Sequence, residues 1–219
     1  MASTGQERRR RLAEARLYFI CEARPNGRDA APLVAAAIEG GADIVQLRDK
    51  EADDDAILEA AATFRDAADR GGALFVLNDR PDLVGRCGAD GVHLGQDDTA
   101  VADARGSIGP DALIGLSTHS LEQIEAGEGI DYISVGPVWE TPTKEGREAV
   151  GLELVEIAAQ LATVPFFAIG GIDRSNVGDV MAEGASRIAV VRAIRDADDP
   201  AAAARALLAE IEDPAHLHH

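Results

Sequence analysis

The chain has 219 residues, enough for one domain with a sizeable core and too few for two. Its 46% hydrophobic content and 22 glycines predict a folded chain with many tight turns, and 39 acidic against 21 basic residues leave a formal charge of −18. That charge excludes nucleic acid and anionic membranes as general partners, and a phosphorylated substrate would need a local cluster of cations or a metal ion.

Residues 1–15 carry "RRRR", Arg8 to Arg11, which reads as the solvated face of a short leading helix or arm. No apolar run of signal-peptide type follows it, and no segment approaches the roughly 18 apolar residues of a membrane helix. Cys21 and Cys87 lack metal-ligand spacing and read as buried thiols of a reducing compartment, which points to the cytoplasm.

Over 16–213, short runs rich in β-branched residues alternate with Ala-rich, charged segments of helical period. In chain order the runs are "RLYFIC", "ADIVQLR", "ALFVLND", "GVHLG", "ALIGLST", "DYISVGP", "PFFAIGG" and "RIAVVRAI". The intervening segments, from "DAAPLVAAAIEGG" to "SNVGDVMAEGA", and the closing "PAAAARALLAEIED" read as helices, several ending in glycine as a C-cap should. Strand then helix, eight times, predicts a single-domain α/β protein, a (β/α)8 TIM barrel. The alternative is an open doubly wound sheet, which more often has five or six strands; no G-x-G-x-x-G follows the first run. The tail "PAHLHH", 214–219, reads as a disordered end.

A barrel of this kind builds its active site from the loops after its strands. Those positions hold Gln46, Arg48 and Lys50 after the second run, Asn78 and Asp79 after the third, and His93, Gln96, Asp97 and Asp98 after the fourth. Ser117 and His119 follow the fifth, "PVWETPTKEG" the sixth, Gly170 and Gly171 the seventh, and Arg192 the eighth. Polar residues at nearly every strand end, facing one side, are more than a merely structural barrel needs.

Arg48 and Lys50 lie two apart and can point the same way, which suits a diphosphate; a surface charge pair is the plainer alternative. Asp79 and Asp98 could share one Mg²⁺, which typically takes one or two carboxylates plus substrate phosphates. Helix capping is the alternative for both. His93 reads as packed. "GGI" before "DRSN" offers backbone N–H groups at a helix start as a phosphate cradle, or a plain turn. No Ser-His-Asp or Cys-His arrangement is legible. The chain has only two lysines, Lys50 and Lys144, and the second sits in a threonine-flanked loop.

The pieces "VQLRDK", "LNDRPDL", "GADGVHLGQDD", "IGLSTHSLEQ", "DYISVGPVWETPTKEG" and "FFAIGGI" resemble, in order, the motifs of the thiamine phosphate synthase family. The resemblance covers most of the chain from Ile44 to Ile194. It implies a (β/α)8 barrel that joins a hydroxymethylpyrimidine diphosphate to a thiazole phosphate with release of pyrophosphate, using Mg²⁺. By that resemblance Gln46, Arg48, Lys50, Asn78, Ser117 and Lys144 would bind the pyrimidine diphosphate, with Leu47 and Asp49 in the same stretch, and Arg48, Lys50 and Lys144 would be catalytic. Asp79 and Asp98 would hold Mg²⁺. Thr141, Pro142, Thr143 and Gly171 would bind the thiazole phosphate, with the backbone near Val191 and Arg192. Arg192 stands where the family often has serine, Glu140 where proline is frequent, and Asp97 where glutamate is frequent. The expected partners are these small molecules, with oligomeric state left open. The rival readings are a thiazole tautomerase using His119, a Schiff-base aldolase on Lys144, and a non-catalytic phosphate-ligand binder.

Overall fold

The structure, a computed structural model, describes residues 4–125, 127–141 and 148–213. Eight parallel strands close into a barrel in sequence order: β1 (Leu17–Cys21), β2 (Ile44–Leu47), β3 (Leu74–Asn78), β4 (Gly91–Leu94), β5 (Leu113–Thr118), β6 (Tyr132–Val135), β7 (Phe166–Ile169) and β8 (Ile188–Val190). The (β/α)8 expectation is borne out. The helices are α1 (Gly5–Glu14), α2 (Ala31–Glu39), α3 (Asp54–Gly71), α4 (Val84–Cys87), α5 (Val101–Ile108), α6 (Leu121–Glu125), α7 (Gly151–Leu161), α8 (Val177–Ala182), α9 (Arg192–Arg195) and α10 (Pro200–Ile211). The last run is shorter as a strand than expected: β8 stops at Val190, and Arg192–Arg195 turn into one helical turn.

Period-2 alternation sorts the side chains into two cores. Leu17, Phe19, Val45, Leu47, Phe75 and Leu77 point outward and pack under the helices. Tyr18, Ile44, Leu74, Val76, Leu113, Tyr132 and Phe167 point inward and fill the barrel. The longest helix, α3, shows how the sequence seats itself. Asp53 caps it by accepting from Ala56 N at 2.9 Å, Ile57, Ala60, Ala61, Phe64 and Ala68 form its buried stripe, and Gly72 ends it with φ 74°. Among the described residues no helix is long and apolar enough to cross a membrane.

The arginine run is a solvated face only in part. Helix α1 lies across the N-terminal end of the barrel, with Leu12 buried in the inner core. Arg8 pairs with Asp90 at 3.0 Å, Arg9 with Asp131 at 2.7 Å, and Arg11 Nη2 donates to Gly72 O. Arg10 stays on the outside, bridging Glu7 and Glu14, and Arg9 is also exposed. The acidic residues it meets explain the arrangement: Asp90 and Asp131 stand just before β4 and β6 and need countercharges where they are buried.

Candidate active site

The inner core changes character along the barrel axis. Its N-terminal end is aliphatic and aromatic; its C-terminal end is polar, with Gln46, Asn78, His93, Ser117 and Ser134 on the inward phase of their strands. Above them opens a cavity of about 630 Å³, walled by the strand-end loops. The cavity gathers Gln46, Arg48, Lys50, Asn78, Asp79, Asp98, Ser117, Thr141, Gly171, Val191 and Arg192, all expected from the sequence.

Two expected positions turn away. Leu47 is fully buried in the outer core, because a strand residue beside inward-facing Gln46 must face outward. Asp49 uses its carboxylate on the N–H groups of Ala23, Glu51 and Ala52, which shapes the loop after β2. Pro142, Thr143 and Lys144 lie outside the described residues.

Two cations, Arg48 and Lys50, come from the loop after β2, and Arg192 follows β8. Arg48 is half-buried and makes no ion pair among the described residues. Lys50 Nζ stands 3.3 Å from Asp79 Oδ2. Asp79 adopts φ 59°, a left-handed conformation uncommon outside glycine, which turns its side chain into the cavity mouth. Burial, then the neighbouring Asp98 carboxylate, raise the Asp79 pKa against the pull of Lys50. Burial also opposes ionisation of Asp98, but the hydrogen bond from Asp79, the Gly95 N–H and the Lys50 charge outweigh it and lower its pKa. Two carboxyl groups that oppose each other's ionisation in this way suit a cation placed between them.

Neither aspartate caps a helix, the alternative the sequence offered. The short turn after Asp79 and helix α5 after Asp98 begin at Arg80 and Ala100 with no side-chain cap, and Asp98 Oδ2 instead accepts from Gly95 N at 2.8 Å. Among the described residues no three His, Cys, Asp or Glu side chains gather as a metal cage. The pair fits a hard cation that keeps most of its positions for water and ligand oxygens, as Mg²⁺ does.

Part of the expected cradle before α8 is taken up by the turn itself. Asp173 N donates to Asn176 Oδ1, Ser175 N to Asp173 Oδ1, and Asn176 N and Val177 N to Asp173 O, which uses four of its amides. The glycine pair itself has the specific need. Gly171, at φ 69°, would press a Cβ to 2.8 Å from Trp139 Cβ, and Gly170 one to 2.5 Å from Pro137 Cα. The loop after β6 therefore packs directly on the loop after β7, with Val138 N and Trp139 N bonded to Ile169 O and Gly170 O.

Sequence reasoning missed Tyr18 and Ser134 as lining residues. Tyr18 lies in the all-apolar run "LYFIC", so its hydroxyl was masked by its neighbours; its phase, opposite to Leu17 and Phe19, was the available signal. His93 is packed, as read, and is also hydrogen-bonded: Nδ1 lies 3.1 Å from Tyr132 Oη and Nε2 2.9 Å from Ser117 Oγ. His119 lines the cavity with Nδ1 against the Gly136 carbonyl. Cys21 and Cys87 are free and buried, and burial pushes both thiols up, Cys21 the further.

Known proteins resemble this chain over most of its length. The family described as "Thiamine monophosphate synthase" matches residues 17–194. The "Thiamine-phosphate synthase" of Arthrobacter sp. (strain FB24) is 48% identical over 92% of this chain and 96% of its own length. That of Streptomyces avermitilis is 50% identical over 90% of this chain and 93% of its own. Among solved structures, the thiamine phosphate pyrophosphorylase from Pyrococcus furiosus superposes with a TM-score of 0.83 at 33% identity, covering 93% of this chain and 97% of that one.

Proposed function

This chain belongs to the thiamine monophosphate synthase family, and from that premise we propose how its cavity carries out thiamine-phosphate synthesis, a transferase reaction. The substrates are 4-amino-2-methyl-5-(diphosphooxymethyl)pyrimidine and thiazole phosphate. The carrying observation is the convergence, in one cavity, of the cations Arg48 and Lys50 with the carboxylates Asp79 and Asp98. In a chain of net charge −18, such a cluster marks where a polyanion is accepted.

Arg48 and Lys50 hold the diphosphate through charge-assisted hydrogen bonds, and Lys144, on the loop after β6, adds a third positive charge. Gln46, Asn78 and Ser117 orient the pyrimidine diphosphate from the cavity floor. Thr141, Thr143, Gly171 and the backbone at Val191 and Arg192 hold the thiazole phosphate; the close packing of the loops after β6 and β7 supports that grouping. The methylene C–O bond breaks with its electron pair leaving on pyrophosphate, and the thiazole nitrogen lone pair forms the new C–N bond. Arg48 and the lysines stabilise the charge that builds on the departing oxygens, and the site supplies rate by positioning two substrates. Mg²⁺, held by Asp79 and Asp98, would supply further neutralisation of the pyrophosphate. We place the enzyme in the cytoplasm because its two cysteines are free and buried.

The test is pyrophosphate release by the purified protein with both substrates and Mg²⁺, omitting each in turn. Release that needs all three, with thiamine phosphate as co-product, is expected. Absence of release, with either ligand still binding by calorimetry, would overturn the assignment in favour of a tautomerase or a binding protein.

A further inference from the structure

A single chain of hydrogen bonds crosses the barrel interior beneath the cavity. Gln46 Nε2–H donates to the Tyr18 hydroxyl. The Tyr18 and Tyr132 hydroxyls lie 2.9 Å apart, Tyr132 Oη is 3.1 Å from His93 Nδ1, and His93 Nε2 is 2.9 Å from Ser117 Oγ. With the Gln46 amide N–H₂ turned toward Tyr18, the chain runs in one direction. An amide N–H₂ can only donate, so the Tyr18 oxygen accepts from Gln46 and passes its own proton to Tyr132. Tyr132 then donates to His93 Nδ1, and a neutral imidazole that accepts at Nδ1 carries its proton on Nε2. That proton goes to Ser117 Oγ. Ser134 Oγ is 3.4 Å from both His93 Nε2 and Ser117 Oγ; a protonated Nε2 cannot accept, so Ser134 donates to the Ser117 oxygen. With Ser117 accepting on both lone pairs, its own proton is left to point elsewhere, and Ser117 lines the cavity.

We propose that Tyr132 is a positioning residue: its hydroxyl holds His93 as the Nε2–H tautomer and so presents the Ser117 hydroxyl as a donor to an anionic oxygen of the pyrimidine diphosphate. The assignment rests on the synthase reading for the identity of that ligand, and on geometry alone for the tautomer. An anionic ligand accepts and never donates, so a serine turned the other way would face it with lone pairs.

The packing shows that Tyr132 is held for this task. It is fully buried and its ring is gripped by Tyr18, His93 and Phe167, with centroids 5.9, 5.5 and 5.7 Å away. Gly115, beside it on β5, would place a Cβ 2.1 Å from Tyr132 Cζ and 2.4 Å from Oη, so that position is kept empty for the phenol. A phenylalanine would fill the same space without a hydroxyl.

Two measurements test this. In the wild-type protein, long-range ¹H–¹⁵N spectra of ¹⁵N-histidine-labelled enzyme, with His93 identified by its loss in His93→Gln, should show a bare Nδ1 and a protonated Nε2. A His93 proton on Nδ1, or on both nitrogens near neutral pH, overturns the proposal even if Tyr132 variants fail to fold. In Tyr132→Phe the Nε2–H signature should weaken, and KM for the pyrimidine diphosphate should rise about tenfold, the scale of one hydrogen bond to a charged group. Ser117→Ala added to Tyr132→Phe should cost little more, because both remove the same donor. Strictly additive losses overturn the proposal. If the wild-type protein releases no pyrophosphate, the synthase reading fails while the tautomer result still stands.

Discussion

Arg48 is the side chain whose placement is hardest to explain structurally. It is half-buried in an acidic protein, lines the cavity, and makes no ion pair among the described residues. A cation held unpaired contributes little to stability, so its worth lies in the ligand it meets. Arg48→Ala should lower kcat/KM by about two orders of magnitude, the loss of a charge-assisted contact to a leaving group, while shifting Tm by only a few degrees. Steady-state kinetics beside a thermal melt check this; a large loss of Tm with activity retained would make Arg48 structural. Asp98→Asn separates charge from shape, because asparagine can still accept from Gly95 N through its amide oxygen. The half-saturating Mg²⁺ concentration should rise at least about tenfold with the fold unchanged; an unaltered metal titration would remove Asp98 from the metal site. These residues were legible because loops after strands display their chemistry openly. The tyrosines beneath the site were not, because Tyr18 lies in an otherwise apolar strand and Tyr132 opens one beside Ile133, and a tyrosine there reads as core.

At the scale of elements, one device recurs that the alternation of runs did not reveal. Gly41-Ala42-Asp43, Gly88-Ala89-Asp90 and Gly129-Ile130-Asp131 each precede an even-numbered strand. Their carboxylates accept from Leu17 N in β1, Phe75 N in β3 and Ile114 N in β5, at 3.0, 2.9 and 2.8 Å. Each aspartate thus ties its own strand to the start of the preceding odd one. Reading a strand by hydrophobicity sees none of this, because the working residue is polar and sits one place before the strand. Burial opposes ionisation of Asp90, but the Phe75 N–H and the Arg65 and Arg8 guanidinium groups outweigh it and lower its pKa. A folded-state pKa below the unfolded value of about 3.9 means the contribution is fully present above that pH and is lost as pH falls through the folded pKa. Asp90→Asn should therefore destabilise by roughly 2 kcal/mol at pH 7, and the gap to wild type should narrow below about pH 4. Urea midpoints at pH 7 and pH 3 read it; a constant gap would place the effect elsewhere. Gly115→Ala tests packing on the same axis. With a Cβ 2.1 Å from the Tyr132 ring, it should cost roughly 3 kcal/mol, seen as a lower urea midpoint. A neutral result would mean the ring can move and is not held as described.

The whole molecule carries −18, and that number opposes its stability and its function alike. Self-repulsion among excess carboxylates favours the expanded chain, and salt screens it over a Debye length of about 10 Å at 0.1 M. The same salt weakens attractive pairs, so the sign of the net effect must be decided. The attractive pairs split into two groups. Arg10 with Glu7 and Glu14, and Arg70 with Asp66, are exposed and worth little each. Arg8 and Arg65 with Asp90, and Arg105 with Asp131, are partly buried and poorly reached by ions. Neither group loses much on screening, whereas eighteen uncompensated charges all gain. Raising NaCl from about 50 mM to about 500 mM should therefore raise Tm by a few degrees. Chloride is the salt to use, since sulfate would stabilise by exclusion from any protein surface and would also compete for the phosphate sites. A melt that stays flat or falls would show that the ion pairs along α1 and the barrel's N-terminal end outweigh the repulsion. In the catalytic direction the same argument predicts opposite behaviour. The attraction of the diphosphate by Arg48 and Lys50 that we propose is short-range and partly screened, so KM for that substrate should rise across the range in which the protein itself becomes more stable.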